Sequence, residues 1–195
     1  MLAPPPQANR AMEQDIERIL LSEERILKRT DQVAADVTRM YTGKPFTVVG
    51  VLKGSCVFVA DLIRRIPIPM ELSFVSASSY GDGTTAKELV LNFLPSDGEI
   101  CGHNILLVDD ILDTGRTMHC LKGELLNMGA NEVKTCVFLD KPSRRNVEFE
   151  ADFRCFEIDN TFVVGYGLDF AGRYRNLPYV GALREEAFLR LQAEV

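Results

Sequence analysis

The chain has 195 residues, with 22 Lys and Arg against 28 Asp and Glu, giving a formal net charge of −6. That length suits one domain with its own apolar core, and 46% hydrophobic with 26% charged residues excludes a disordered chain, a collagen-like repeat and a disulfide-stapled miniprotein. A pI near 5.1 opposes general nucleic-acid binding, which needs a basic face, and no run reaches the roughly 18 apolar residues of a membrane helix.

The N-terminal residues 1–12 are proline-rich and polar and are expected to form a loose tail, with no apolar stretch of the secretory kind. Ile16 to Leu21 is a short apolar run that ends at Ser22, an N-cap followed by Glu23 and Glu24 in a first helical turn. Ile26, Val33, Val37 and Met40 then mark one apolar face, and Gly43 and Pro45 stop the helix. TVVGVL (Thr47–Leu52) reads as a buried parallel strand. Gly54 opens a helical SCVFVADLIRRI. ELSFVSASS (Glu71–Ser79) and LVLNFL (Leu89–Leu94) read as strands around a polar, glycine-bearing loop.

NILLVDD (Asn104–Asp110) is a third apolar run, ended by two carboxylates, and GRTMHCLKGELLNMG (Gly115–Gly129) is an amphipathic helix closed by a glycine. VKTCVFLD (Val133–Asp140) follows as a strand. Strands alternating with helices predict an α/β fold, a mainly parallel sheet flanked by helices. Beyond about residue 150 the chain reads as strands and loops forming a small hood lobe. The expected division is therefore a tail over 1–12 and one domain over 13–195. Its core spans about 36–150, and the hood comes from the N-terminal segment and about 151–195.

Five scattered cysteines without a CxxC pair predict reduced thiols and a cytoplasmic protein. Two histidines, His103 and His119, leave no basis for a His-rich zinc site, so any metal is expected on carboxylates. Both histidines are expected to be structural or solvated, and the Arg64-Arg65 and Arg144-Arg145 pairs solvated and open to subunit partners.

The segment ILLVDDILDTGRT (Ile105–Thr117) carries the most chemistry. A buried strand brings Asp109 and Asp110 to its C-terminal end, where α/β proteins place their ligands. Asp113, Thr114, Gly115, Arg116 and Thr117 then cross into a helix N-terminus, whose free N–H groups and hydroxyls form an anion cradle. Carboxylates suit sugar hydroxyls and hydrated Mg2+, and the cradle suits a terminal phosphate. The same residues also serve simply to end a strand and cap a helix.

With VGVLKGSCVFVADLIRRI, SFVSASSYGDGT, FLDKPSRR and FVVGYGLDFAGRYRNLPYVGAL in the same order over roughly residues 15–185, that segment resembles the hypoxanthine-guanine phosphoribosyltransferases, type I enzymes that use 5-phosphoribosyl pyrophosphate (PRPP). The short C-terminal form LDFAGRYRNLPYVG is similar to the bacterial type. The resemblance implies transfer of the phosphoribosyl group to hypoxanthine or guanine, giving IMP or GMP and pyrophosphate with Mg2+. It implies a cytoplasmic homodimer or homotetramer with no nucleic-acid or membrane partner.

It also assigns roles. Asp113 is the catalytic carboxylate at the purine's imidazole nitrogen. Asp109 and Asp110 hold ribose hydroxyls and metal, and Asp113 to Thr117 bind the ribose phosphate. Lys53, Gly54 and Arg175 meet pyrophosphate, the Leu52-Lys53-Gly54 loop often through a cis peptide bond. Lys141 donates to the purine 6-oxo group, Phe162 stacks on the base, Val163 contacts its edge, and Asp169 lies near the exocyclic position and a second Mg2+. Ser79 and Tyr80 head a lid. Read singly, Lys53 is a solvated lysine in a turn, SYGDGTT a hairpin tip, Lys141 surface and Phe162 core. One departure from the family pattern stands out: Glu then Asp is usual at the acid pair, and the shorter Asp109 loses a methylene of reach. A PRPP- or nucleotide-sensing RNA-binding regulator on the same fold shares the acid-pair string. Asp113, Lys141 and the Phe162–Asp169 segment favour the enzyme.

Overall fold

A computed structural model describes residues 12–80 and 88–193; the expected tail (1–12) falls almost wholly outside them. Nine strands, five α-helices and one 3-10 helix (Pro142–Arg144) are defined among these residues. In chain order they are β1 (Ile16–Leu21), α1 (Glu23–Tyr41), β2 (Phe46–Leu52), α2 (Cys56–Ile63), β3 (Glu71–Tyr80), β4 (Glu88–Phe93) and α3 (Asp97–Ile100). Then come β5 (Asn104–Leu112), α4 (Arg116–Asn127), β6 (Glu132–Asp140), β7 (Phe153–Glu157), β8 (Val163–Val164), β9 (Val180–Leu183) and α5 (Glu185–Gln192).

The chain divides into two compact units, residues 28–160 and residues 1–27 with 161–195. The larger unit holds a six-stranded sheet in the order β4-β3-β2-β5-β6-β7. All pairings are parallel except β3 with β4. Ile105, Leu106, Leu107 and Val108 of β5 are wholly buried, each contributing about 1.5–3 kcal/mol by leaving water. This explains why the run carries no polar alternation: the strand is covered on both faces. Along α1, Ile26, Val33 and Val37 are buried as their spacing predicts, and the Arg25 N–H donates to the Ser22 hydroxyl at 3.4 Å.

After β2 the chain pairs β3 on one side, and β5 then returns to the other side of β2. That reversal is a topological switch point, and the crevice beyond the C-terminal ends of β2 and β5 is where such sheets take ligands. β7 pairs with β6, so residues 153–157 belong to the larger sheet, and the smaller unit resumes at Thr161 rather than near 151. Its sheet, β1-β9-β8, is antiparallel. The helix α5 was not expected from the sequence; Ala187 and Leu191 at i, i+4 are its buried contacts.

Asp152 clamps the start of β7 to β6. Its carboxylate accepts from the Thr135 N–H at 2.9 Å and hydroxyl at 3.0 Å, and pairs with Lys134 at 3.1 Å. Burial alone would raise this carboxyl, but the Thr135 and Lys134 donors outweigh it and hold it below its ordinary 3.8. A lowered pKa makes the contribution complete above 3.8 and lost as pH falls through the folded value. Asp152→Ala is expected to cost about 1–3 kcal/mol in urea unfolding at pH 7, and the difference from wild type should shrink at pH 3.

Candidate active site

The switch-point crevice in the larger unit is a cavity of about 330 Å³. Val51, Leu52 and Gly54 line it from the β2 side, and the chain from Asp109 through Gly115, with Thr117 and Met118, lines it from the β5 side. Pairing between β2 and β5 ends at Gly50 and Val108, so Asp109 and Asp110 are the first residues beyond that ladder.

Asp109 is 7% exposed and accepts from the Asp110 N–H at 2.9 Å. Burial pushes its carboxyl well above the ordinary carboxylate range. The Asp110 charge and a side-chain hydrogen bond with Asp110 add to this, and the Asp110 N–H opposes it. The Leu52-Lys53 peptide bond is cis, the feature the resemblance led one to expect. Lys53 is exposed and the Ser55 hydroxyl donates to the Val51 carbonyl at 2.6 Å. Gly54 is required by a close approach: a Cβ there would collide with the Asp110 carboxylate.

Gly115 ends the loop at φ +85°, a left-handed conformation disfavoured for residues with a Cβ. Thr114, Gly115 and Thr117 line the cavity where α4 begins, and the Arg116 N–H at the helix start donates to the Thr114 hydroxyl at 3.5 Å. Asp113 pairs with the exposed Arg144 at 3.1 Å. Lys141 is 8% exposed, so it is not a surface lysine. Burial lowers its pKa, the Asp113 charge opposes that, and Arg144 adds to the lowering.

Arg145 was expected at a solvated face, and the structure overturns that. It is largely buried and ion-paired with Asp140, and it donates to the carbonyls of Leu112, at 3.0 Å, and Asp113. The Lys141 and Asn146 N–H groups donate to the Leu112 and Thr114 carbonyls at 3.0 Å each. The segment after β6 thus holds the backbone between β5 and α4 at three successive residues, Leu112, Asp113 and Thr114. Nothing in an Arg-Arg pair distinguishes a buried partner from a solvated one. Arg65 is also less solvated than expected, pairing with Asp31 at 2.7 Å and with Asp61. His103 is structural as expected, its Nδ1 2.9 Å from the Thr47 hydroxyl, and His119 packs edge-on to Phe149.

In the smaller unit, Asp169 pairs with Arg175 at 2.7 Å and accepts from the Gly172 N–H at 2.8 Å. Arg175 also donates to the Gly167 carbonyl at 2.6 Å. The Phe162 ring is 45% exposed and so is not core. Val163 is buried in β8. Ser79 and Tyr80 end β3, and the loop over 81–87 expected as a lid lies outside the described residues. Among the described residues no three or more His, Cys, Asp or Glu side chains converge as a metal cage. The fit to Mg2+ rests instead on two adjacent carboxylates, one buried: hard oxygen donors of the kind that hold a hydrated Mg2+ together with substrate phosphates.

The chain is similar to known proteins in both sequence and fold. A profile of the phosphoribosyl transferase domain family matches residues 17–171. A hypoxanthine-guanine phosphoribosyltransferase of Streptococcus agalactiae is 44% identical over 91% of this chain and 98% of its own length. A crystal structure of a Staphylococcus aureus hypoxanthine phosphoribosyltransferase superposes with a TM-score of 0.86 at 38% identity, covering 91% of this chain and 97% of that one. A hypoxanthine-guanine phosphoribosyltransferase from Bacillus anthracis gives 0.80 at 38% identity, over 87% and 98%.

Replacing Arg145 by Gln leaves the buried Asp140 carboxylate short of its closest cation. Urea unfolding is expected to show a loss of about 3 kcal/mol; a loss below about 1 kcal/mol would mean that Arg154, 3.2 Å from Asp140, suffices alone.

Proposed function

We infer the chemistry from one premise: the chain belongs to the phosphoribosyltransferase family, and within it to the hypoxanthine-guanine phosphoribosyltransferases. It is a purine salvage enzyme, a pentosyltransferase that moves the 5-phosphoribosyl group of PRPP to hypoxanthine or guanine with release of pyrophosphate. The observation that carries this to individual residues is the crevice at the switch point, with an acid pair on one side and a loop leading into a helix N-terminus beside it.

Asp109 and Asp110 hold the ribose hydroxyls and would hold Mg2+, which supplies charge neutralisation for the departing pyrophosphate when bound. The backbone from Thr114 to Thr117, with the hydroxyls of Thr114 and Thr117, takes the 5-phosphate. Lys53 and the amide of Gly54 take pyrophosphate, and Arg175 is assigned to it as well. As the bond at the anomeric carbon breaks with oxocarbenium character, Asp113 accepts the proton from the purine imidazole nitrogen. Asp113 lines the crevice, and Arg144 at 3.1 Å holds its carboxylate in place there.

Lys141 donates to the 6-oxo group. An ammonium has donors only, so adenine's 6-amino group would be left without a partner, which rejects it. Burial of Lys141 supports this role, since a solvated lysine would discriminate poorly. Phe162 stacks on the base, the Val163 backbone contacts its edge, and Asp169 serves the exocyclic position and a second Mg2+. Ser79 and Tyr80 open the lid segment. The charged, phosphorylated substrates fit a cytoplasmic location, and the −6 net charge fits the absence of nucleic-acid partners. Among the described residues no helix is long and apolar enough to cross a membrane. A homodimer or homotetramer is proposed, with the apolar α2 as a contact face.

Steady-state assays offering each purine with PRPP and Mg2+ test the reading. Hypoxanthine and guanine should give nucleotide and adenine none; no product from either 6-oxopurine would overturn it. Asp113→Asn should lower kcat by about 10²–10⁴-fold with PRPP affinity little changed. Unchanged turnover would remove Asp113 from the proton transfer.

A further inference from the structure

The helix α5 (Glu185–Gln192) lies beyond the family profile's match, which ends at residue 171, and none of the roles above uses it. It is nonetheless fixed firmly within the smaller unit. Ala187 and Leu191 are buried, and Leu191 packs in a cluster with Ile16, Val164 and Tyr174. Arg190 donates to both carboxylate oxygens of Asp15 at 2.9 Å. The Tyr174 hydroxyl donates to the same carboxylate at 2.8 Å, and the Arg184 N–H to the Asp15 carbonyl at 2.8 Å.

One residue of this anchored helix reaches the aromatic expected at the purine. Phe188 stacks on Phe170 at 4.8 Å and 17°. Both meet the Phe162 ring steeply, Phe188 at 5.4 Å and 71° and Phe170 at 5.2 Å and 80°. Phe162 therefore leans on two rings while 45% of its surface stays open. Phe170 follows Asp169 directly, so the same stack bears on the loop that presents that carboxylate. An exposed ring free to change rotamer would have to be ordered each time a base arrived; one already braced forgoes that entropic cost.

We propose that Phe188 is a positioning residue for the purine: from the C-terminal helix it braces the Phe162 ring in the orientation that stacks on the base. This rests on the reading of Phe162 as the stacking residue. The ligand whose binding it governs is the planar base, and PRPP should be insensitive to it.

The test is steady-state kinetics of the full-length enzyme with Phe188→Leu and Phe188→Met, which keep apolar volume and remove the ring, beside Phe188→Tyr and Phe162→Ala. An aromatic pair contributes enough that Phe188→Leu and Phe188→Met should raise the KM for hypoxanthine about three- to tenfold. The KM for PRPP should stay within about twofold and Tm within a few degrees of wild type, and Phe188→Tyr should restore the hypoxanthine KM. If the two ring-less variants leave the hypoxanthine KM unchanged while Phe162→Ala raises it, the bracing role is wrong and the stacking role survives. If both KM values rise together as Tm falls, Phe188 is a packing residue and the proposal fails. If Phe162→Ala itself leaves the hypoxanthine KM unchanged, the stacking role fails and takes the proposal with it.

Discussion

Two carboxylates stand side by side where the most deeply buried strand runs past its pairing with β2. Asp109 is nearly closed off from water and Asp110 follows it directly. Like charges so placed repel strongly, and burial weakens the screening that would relieve them. Burial first, and the Asp110 charge after it, raise the Asp109 carboxyl well above the ordinary carboxylate range. A ligand that brings cationic charge to this end of β5 relieves it, and a polyanion arriving without a cation makes it worse. This conflict supports the proposed reading in which the site takes phosphate and metal together.

The surroundings keep this arrangement from relaxing. Gly54 lets the β2 loop approach the Asp110 carboxylate more closely than any side chain would permit. Gly115 turns the chain from the acids into a helix N-terminus. Arg145 and the N–H groups of Lys141 and Asn146 tie down the carbonyls of Leu112, Asp113 and Thr114. Each of these contacts lies within the larger unit and orders the Leu112–Gly115 backbone in advance, so little ordering cost would be left for a ligand bound there. The smaller unit shows a similar economy, with Asp169 and Arg175 holding each other and three phenylalanines packed together.

Much of this was legible in the residues. The unbroken runs of β2, β5 and β6 have only one comfortable place, the middle of a parallel sheet, and acids at the end of such a run mark its ligand side. The turn from the acids into α4 was readable for the same local reason: glycine, hydroxyls and a helix start coincide. Arg145 was not, because its partners, Asp140 and two backbone carbonyls, come together only when β5 and β6 pair. The mutual engagement of Asp169 and Arg175 depends likewise on a tight loop that the sequence does not announce. For α5 a signal existed, since Glu185 and Glu186 sit in a first turn and Ala187 and Leu191 are at helical spacing. A short helix after the YVGAL strand was simply outweighed by the strands before it. The β7 segment FRCFE, with its middle residue Cys155 buried and its neighbours partly exposed, carries too weak an alternation to reveal whether it extends the large sheet or the small one.

Calorimetric titration of PRPP into the enzyme, with Mg2+ and with the metal chelated, tests this account most directly. If the paired carboxylates require a cation before they will accept a polyanion, binding should be at least about tenfold tighter with Mg2+, and Asp110→Asn should narrow that gap. Equal affinity with and without the metal, in the wild-type enzyme, would contradict it.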